Sequence, residues 1–313
     1  MMAGIHQNTI SGQGLNRCPP ELKLTSPAKI NLGLRIVGRR ADGLHLLESL
    51  FWPISLSDEL ILNQSQVPQV LSFWENDAIK ATSELPAEKE NLVFRAMAKA
   101  QCGSFKIVLK KRIPMGAGLG GGSSNAGTFL RWLIAQNPTA EERLKTLAIS
   151  LGADVPYFLN PCPSWVTGIG ENRLPLNIGR TNCLNLFFLL IFPPEPLPTQ
   201  SVFSLYRVSQ KPFSMPASFP LDPTTTSTGL VDYLRTIEND LEDAASQLVP
   251  RIHSILGRLR QENVLCAGMT GSGSTCYAVF FSAAEREKST KVLQPFLREN
   301  FCRSLTAESY FAS

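Results

Sequence analysis

Five glycines occupy seven consecutive positions in the segment GAGLGGG, residues 116–122. The alternating residues 105–110 before it have the pattern of a β-strand, and residues 123–135 after it have the pattern of a helix capped by its own serines. A loop without side chains lets successive backbone N–H groups converge on an anion, and the following helix adds the positive end of its dipole. The segment therefore predicts a phosphate-binding loop, since flexible linkers seldom separate a strand from a capped helix.

The residues around this loop exclude the commonest phosphate loops. A Walker A loop ends in Gly-Lys-Ser/Thr, whereas this one ends in GGGSSN without a lysine. The letters GxGxxG from residue 116 satisfy the weak dinucleotide fingerprint, but the acid about twenty residues on, Glu141, falls in a predicted helix and not at a strand end. No histidine lies in a His-Arg-Asp sequence and no Asp-Phe-Gly occurs, so a protein kinase is excluded.

The rest of the chain predicts an α+β protein of two domains. With 313 residues, 43% of them hydrophobic, it is long enough to fill two cores. Proline, serine and threonine are frequent in residues 193–228, and a second series of elements follows that stretch. We expect a disordered lead-in over 1–21 and a boundary near residue 180, giving domains 22–180 and 181–313.

Particular elements follow from the periodicity of apolar residues. The first domain is predicted to begin as a β-meander of four strands at 22–25, 30–37, 45–54 and 59–63. Asn91 is predicted to begin a helix, and Thr139 to cap another that stops at Gly152. In the second domain, helices are predicted at 230–238, 240–260 and 283–299, with strands at 185–192, 264–268, 276–281 and 304–308.

Charge, hydropathy and cysteine usage narrow the functional classes. The net charge of +4 comes from interspersed Lys and Arg, which argues against nucleic acid as a partner. No window of eighteen residues is apolar enough to predict a membrane span. The seven cysteines are scattered without a C-x-x-C pair, so we expect reduced thiols, a cytoplasmic location and no zinc site. We expect a monomer or a weak homodimer.

Four segments, taken in order along the chain, resemble the motifs of the GHMP kinase superfamily. They are SPAKINL at 26–32, GAGLGGGSSNA at 116–126, LGADVP at 151–156 and GMTGSG at 268–273. The resemblance covers residues 22–308. It implies an N-terminal domain like ribosomal S5 domain 2, a ferredoxin-like C-terminal domain, and ATP-dependent phosphorylation of a small-molecule hydroxyl.

Three details resemble one branch of that superfamily, which phosphorylates cytidine diphosphate methylerythritol in the non-mevalonate isoprenoid pathway. They are the opening SPAKIN, the segment RADGLH at 40–45 and the unbroken GLGGGSSNA. The resemblance implies that Asp154 is the general base and that Lys29 lies beside it, keeping the carboxylate ionised. Taken alone, Asp154 after a glycine would more often be a turn or capping residue, and Lys29 a solvated charge at a sheet edge.

The resemblance also implies that ATP is the phosphoryl donor and that Mg²⁺ binds together with it. No site made of protein ligands alone is expected for the metal, and Ser123 or Ser124 is the candidate side chain. The implied ATP-binding residues are Pro114, Met115, Gly116, Ala117, Gly118, Leu119, Gly120, Gly121, Gly122, Ser123 and Ser124.

For the acceptor, the resemblance implies that His45 hydrogen-bonds a cytosine ring and that Phe203 stacks on it. The second stacking position holds Leu44, where the family has an aromatic ring; this change removes about 0.5–1.5 kcal/mol of stacking. Asn31 is two residues from Lys29, so both side chains leave the same face of a strand. The implied substrate-binding residues are Asn31, His45, Thr199, Phe203, Gly271 and Ser272. In isolation, the segment at 268–274 could equally be a simple hairpin turn.

Three other functions remain open at this level. The first is another GHMP kinase, such as a homoserine or mevalonate-pathway kinase, against which the RADGLH segment argues. The second is a nucleotide-binding sensor that has lost the chemistry, against which the presence of both Lys29 and Asp154 argues. The third is a dinucleotide-binding oxidoreductase, which a lack of NAD(H) binding would eliminate.

Overall fold

The computed structural model describes residues 21–75, 85, 87–178, 184–216, 221–222 and 224–311. Within these residues the chain forms ten strands and eight α-helices, arranged around two sheets. Residues 1–20 of the expected lead-in lie outside the described residues, and so does the expected domain boundary at residue 180.

The N-terminal sheet is organised around its second strand, which is long enough to pair with three others. The sheet has the order β3-β4-β2-β5-β6, and β1 also pairs with β2. The β3–β4 pair is parallel and the other pairs are antiparallel. The strands are β1 (Leu22–Arg39), β2 (His45–Gln64), β3 (Gln69–Trp74), β4 (Phe105–Lys111), β5 (Ser164–Gly168) and β6 (Asn172–Pro175).

The predicted four-stranded meander was wrong, because two long strands, β1 and β2, take its place. Their register shifts between Pro27 and Ala28 and again beyond Leu32, so the polar interruptions are bulges within paired strands. Pro27 has no N–H to donate, and a bulge accommodates such a residue without ending the strand. Strands β3, β5 and β6 were not predicted.

Three helices pack on the N-terminal sheet: α1 (Leu92–Ala100), α2 (Gly121–Gln136) and α3 (Glu141–Leu151). Asn91 caps α1 as predicted, since its side-chain oxygen accepts the N–H of Val93 at 2.9 Å. The predicted Thr139 cap of α3 was wrong. Thr139 lies in a short 3₁₀ turn before α3, and its hydroxyl donates to Asn137 Oδ1 at 2.6 Å.

The C-terminal sheet is antiparallel, with the order β10-β7-β9-β8. A strand, a helical segment, two strands, a helix and a strand follow one another along the chain, which is the ferredoxin-like arrangement. The strands are β7 (Phe187–Phe192), β8 (Cys266–Met269), β9 (Cys276–Phe280) and β10 (Arg303–Glu308). The helices are α4 (Thr199–Val208), α5 (Ser227–Arg235), α6 (Glu242–Leu248), α7 (Pro250–Leu259) and α8 (Ala283–Glu299).

The helix predicted over 240–260 is in fact two helices, α6 and α7. The break falls at Val249, whose extended backbone (φ −133°, ψ 87°) precedes Pro250. A proline disfavours the helical conformation of the residue before it, and its own fixed φ suits the first position of the next helix. Helix α8 has the predicted bounds, and α4 was not predicted.

The two sheets share one apolar core. Ile30 and Trp52 of the N-terminal sheet belong to the same buried cluster as Phe188 and Val279 of the C-terminal sheet. This shared core brings β1 close to the hairpin formed by β8 and β9, and the candidate site lies at that junction. Of the helices in the described part of the chain, none combines the length and the apolar character needed to cross a membrane.

Candidate active site

The glycine-rich run 114–124 connects β4 to α2 and forms the first turn of α2. Gly116, Gly118 and Gly120 have φ values of 65°, 73° and 71°, a region that residues with a side chain rarely adopt. Gly120 is the N-cap of α2 and makes no side-chain hydrogen bond there. The first N–H groups of α2 therefore have no partner within the helix and can bind an anion.

The predicted serine cap of α2 was wrong. The hydroxyl of Ser124 is fully buried and donates to the carbonyl oxygen of Pro27 at 2.6 Å. A carbonyl on β1 therefore competes successfully for the hydroxyl that was expected to cap the helix. Ser123, by contrast, is partly exposed on the first turn of α2.

The glycines serve two purposes. A Cβ on Gly118 would lie 2.5 Å from the carbonyl oxygen of Thr270, and one on Gly120 would lie 3.0 Å from Phe158 Cζ. These two positions therefore lack a side chain because neighbouring segments approach them closely. A Cβ on Gly116 would meet no atom within 4 Å, so this glycine leaves open space at the start of the loop.

Lys29 lies in the middle of β1, where this strand passes beside the glycine loop. Its backbone N–H donates to Leu119 O at 3.0 Å, and its ammonium donates to Asn31 Oδ1 at 2.5 Å and to Gly118 O at 3.1 Å. The ammonium also lies 4.8 Å from the centroid of the Phe51 ring. The buried lysine is thus held to one place by fixed acceptors.

Asp154 lies beside this ammonium, with Lys29 Nζ 3.6 Å from Asp154 Oδ2. The lysine side chain is 5% exposed and the aspartate side chain 31%, so the carboxylate is the member of the pair that solvent can reach. Asp154 follows the end of α3 at Gly152 and precedes a 3₁₀ turn, Pro156–Leu159. The structure therefore brings together the two residues predicted to be catalytic.

Asn31 shares the face of β1 with Lys29, as the spacing predicts. Its side-chain nitrogen donates a hydrogen bond to Ser49 Oγ at 3.0 Å, and its side-chain oxygen accepts one from the ammonium of Lys29. Its backbone N–H donates to Thr270 Oγ1 at 2.9 Å. The side chain is buried, and the backbone hydrogen bond links β1 to the hairpin loop of the C-terminal sheet.

A buried ion pair that was not predicted underlies the start of the loop. Lys111 at the end of β4 and Asp58 on β2 are 2% and 0% exposed and hydrogen-bonded to each other. Asp58 also accepts the backbone N–H groups of Arg112 and Ile113 at 2.7 and 2.9 Å, and Asn125 Nδ2 of α2 at 2.9 Å. The carboxylate thus ties β2, the loop and α2 together, through contacts between distant segments that leave no local pattern in the sequence.

The residues expected to bind cytosine also lie together. The rings of His45 and Phe203 are stacked, with centroids 5.3 Å apart and an interplanar angle of 26°. Tyr206, one turn further along α4, meets His45 edge-on at 5.8 Å. Sequence reasoning missed Tyr206, although its i, i+3 spacing from Phe203 placed it on the same helix face. Leu44, which precedes His45 in the sequence, is 48% exposed.

The environment of His45 favours a neutral imidazole. Burial lowers the pKa of His45 below its usual 6.5, and the positive charges of Arg39 and Arg207 lower it further. The ring can therefore act as a neutral hydrogen-bonding group near pH 7.

The segment at 268–274 includes the end of β8 and most of the hairpin turn that leads to β9, and it also reaches the site. Thr199 at the start of α4 and Ser272 in this loop share a hydrogen bond of 2.8 Å. A Cβ on Gly271 would lie 3.4 Å from Asn31 Oδ1. The segment is thus a hairpin whose turn lies against β1, and its role in binding substrate stays a prediction.

The donor groups limit how a metal ion could bind. Among the described residues there is no cluster of three or more His, Cys, Asp or Glu side chains suited to a metal ion. Two partly exposed side chains that could offer oxygen are the carboxylate of Asp154 and the hydroxyl of Ser123. This set fits a hard cation such as Mg²⁺ that keeps phosphate oxygens and waters as ligands.

The fold and this site together define a class of protein. The N-terminal domain family of the GHMP kinases matches residues 91–160, which span α1, the glycine loop and Asp154. The C-terminal domain family of the GHMP kinases matches residues 230–296, which include the hairpin loop between β8 and β9. The chain thus has the two-domain α+β fold of the GHMP kinases.

Relatives narrow the class further. A 4-diphosphocytidyl-2-C-methyl-D-erythritol kinase from Chelativorans sp. (strain BNC1) is 33% identical over 279 residues, covering 87% of this chain and 92% of the relative. One from Paracoccus denitrificans (strain Pd 1222) is 36% identical, covering 86% and 90%. A crystal structure of 4-(cytidine 5'-diphospho)-2C-methyl-D-erythritol kinase has a TM-score of 0.70 at 31% identity, covering 93% of this chain and 100% of that one. The chain belongs to the 4-diphosphocytidyl-2-C-methyl-D-erythritol kinase family.

Proposed function

We propose that this protein transfers the γ-phosphoryl group of ATP to the 2-hydroxyl of 4-diphosphocytidyl-2-C-methyl-D-erythritol, giving the 2-phosphate and ADP in the non-mevalonate isoprenoid pathway. The observation that carries the proposal is the pairing of Lys29 with Asp154 at 3.6 Å, where the lysine also donates to Gly118 of the glycine loop. A base and a cation therefore lie beside the segment that has free amides for phosphate. The names of the relatives supply the acceptor.

In this proposal Asp154 removes the proton from the acceptor hydroxyl. The hydroxyl oxygen forms a bond to the γ-phosphorus, the bond from that phosphorus to the β–γ bridging oxygen breaks, and ADP leaves. The ammonium of Lys29 lies beside the carboxylate and offsets the charge on the transferred group. A placed base typically contributes about 10²–10⁴-fold to the rate.

We assign ATP to the run 114–124, whose backbone amides would hold the phosphates. Mg²⁺, when bound with the nucleotide, would neutralise phosphate charge. Ser123 is the side chain that we assign to the metal, because the hydroxyl of Ser124 is already buried against Pro27.

We assign the cytosine ring to His45 and Phe203. Because the two rings contact each other, we propose that cytosine displaces His45 from the face of Phe203 and is then hydrogen-bonded by it. Tyr206 is the additional aromatic residue that would offset the loss of stacking at Leu44.

We assign the methylerythritol end to Asn31 and Gly271, which lie beside Lys29, and the link between the two ends to Thr199 and Ser272. We further propose that the enzyme works in the cytoplasm as a monomer or weak homodimer. The five cysteines of the described residues are free thiols, as expected in a reducing compartment.

Replacing the proposed base tests this function. The wild type should convert the cytidine substrate in an ATP-coupled assay, and Asp154→Asn should lower kcat by about 10²–10⁴-fold, because the amide cannot accept the proton. The melting temperature should change little, since the carboxylate is partly exposed.

Asp243→Asn is the matched control, because this aspartate is 70% exposed and pairs with Lys211 on the surface. It should keep the wild-type rate. Homoserine and mevalonate serve as competing acceptors. If the wild type phosphorylated either of them and not the cytidine substrate, the assignment of the acceptor would be wrong while the kinase class would stand.

A further inference from the structure

One threonine of the hairpin loop between β8 and β9 reaches across to the N-terminal sheet. Thr270 is 0% exposed, and its hydroxyl oxygen accepts the backbone N–H of Asn31 at 2.9 Å. The same oxygen lies 3.4 Å from Asn31 Oδ1 and 3.3 Å from Gly118 O. A hydroxyl has a single proton, so it donates to one of these two acceptors at a time.

These two acceptors are the ones that hold the ammonium of Lys29. Lys29 Nζ donates to Asn31 Oδ1 at 2.5 Å and to Gly118 O at 3.1 Å. Any movement of Asn31 or of the loop carbonyl therefore moves the ammonium, which lies 3.6 Å from Asp154. The threonine hydroxyl acts on the proposed catalytic pair through these shared partners.

Thr270 is itself held firmly. Asn239 Nδ2 donates to the carbonyl oxygens on both sides of it, to Met269 O at 2.7 Å and to Gly271 O at 2.8 Å. The contact with the glycine loop is also tight, because a Cβ on Gly118 would lie only 2.5 Å from Thr270 O. The hydroxyl thus belongs to a segment with little freedom to shift.

We propose that Thr270 is a positioning residue for phosphoryl transfer. Its hydroxyl fixes Asn31 Oδ1 and Gly118 O, and through them places the Lys29 ammonium beside Asp154. The proposal rests on the kinase function proposed above and adds a residue from the β8–β9 hairpin loop that acts on chemistry performed by residues of the N-terminal part. Without the hydroxyl, the N–H of Asn31 loses its acceptor and the two oxygens lose a common partner.

Two substitutions separate the hydroxyl from the shape of the side chain. Thr270→Val keeps the shape and removes the hydroxyl, whereas Thr270→Ser keeps the hydroxyl and removes a methyl group. We expect Thr270→Val to lower kcat by about tenfold or more, because misplacement by about 1 Å can cost about 10²-fold. KM for ATP and for the acceptor should change far less than kcat, and Thr270→Ser should recover most of the rate.

The matched control is Thr128→Val on α2. Thr128 is 1% exposed, and in the described part of the chain its hydroxyl has no hydrogen-bond partner. It should keep the wild-type kcat and KM. The proposal is overturned if Thr270→Val keeps the wild-type kcat, or if Thr270→Ser loses as much activity as Thr270→Val.

A second measurement does not depend on the acceptor. Hydrogen exchange of the Asn31 amide, followed by mass spectrometry of a peptide from β1, should be faster in Thr270→Val than in the wild type and close to wild type in Thr270→Ser. A wild type that is silent with the cytidine substrate would defeat the proposed function, and the exchange rates would still decide the Thr270 contact. Unchanged exchange in Thr270→Val would overturn the proposal.

Discussion

Single residues of the site take their character from their neighbours. Lys29 is a buried ammonium held by two oxygen acceptors, whereas Asp154, at 31% exposure, remains open to an incoming hydroxyl. His45 is a second example, since burial and two arginines lower its pKa and favour the neutral ring. The residue types were visible in the sequence, but the accessibility of these side chains and the neutral state favoured for His45 follow from these contacts.

The lowered pKa of His45 predicts a pH dependence of stability. The unfolded chain takes up a proton at His45 as the pH falls below 6.5, while the folded protein does so only at a lower pH. The contribution is therefore fully present above pH 6.5 and is lost as the pH falls through the folded pKa. Urea midpoints at pH 7.5 and 5.5 should differ more for the wild type than for His45→Gln, and equal differences would contradict the prediction.

At the scale of elements, the position of Asp154, the proposed base, depends on how a turn packs against a helix. Phe158, in the 3₁₀ turn after Asp154, fills a notch formed by two glycines. A Cβ on Gly120 would lie 3.0 Å from its ring, and one on Gly127 would lie 2.5 Å from its Cβ. Because these two positions lack side chains, the segment that carries Asp154 can pack against the glycine loop and α2.

A pair of glycine substitutions tests this notch. Gly127→Ala should destabilise the protein by about 1–3 kcal/mol, since overpacking outweighs the better helix propensity of alanine. Gly257→Ala on α7 is the matched control, because its Cβ would meet no atom within 4 Å. It should stabilise the protein by about 0.5–1 kcal/mol. Urea denaturation measures both, and effects of the same sign would contradict the close packing at Gly127.

At the scale of the whole molecule, the two sheets are joined by a common core and by buried hydrogen bonds. Ser309 Oγ accepts a hydrogen bond from Trp52 Nε1 of the N-terminal sheet at 3.0 Å. It accepts another from the backbone N–H of Leu186, next to β7, at 2.9 Å. Tyr310 N donates to Pro53 O at 2.9 Å. The division into 22–180 and 181–313 remains a proposal about the chain, but neither part buries its inner face without the other.

The shared core predicts that the molecule unfolds as one unit. All four tryptophans lie before residue 180, so their fluorescence reports on the N-terminal part, whereas far-UV circular dichroism reports on both. The two urea transitions should coincide, because losing one sheet exposes the core of the other. Ser309→Ala should lower both midpoints together, and two separate transitions would contradict the prediction.

Local signals in the sequence were sufficient where the governing interaction was local. The glycine run between a strand and a helix, the Asn91 cap and the bounds of α8 all depend on residues within a turn or two of each other. The prediction of a serine cap was wrong because the hydroxyl of Ser124 donates its hydrogen bond to the carbonyl oxygen of Pro27 on β1. The prediction of one helix over 240–260 was wrong because Pro250 disfavours a helical conformation at Val249, although the apolar periodicity continues across the break.

The sequence alone therefore determined the α+β class, the glycine-rich loop between a strand and a helix, the kinase family and the identity of the residues that the structure brings together. Only the tertiary structure decided that β1 and β2 are continuous, that Asp58 lies under the loop, and that Thr270 contacts Asn31 across a separation of 239 residues. The physical reason is that such contacts form only when segments far apart in the sequence pack against each other. A buried hydroxyl or carboxylate takes whichever partner the packing brings within reach, and no local pattern encodes the choice.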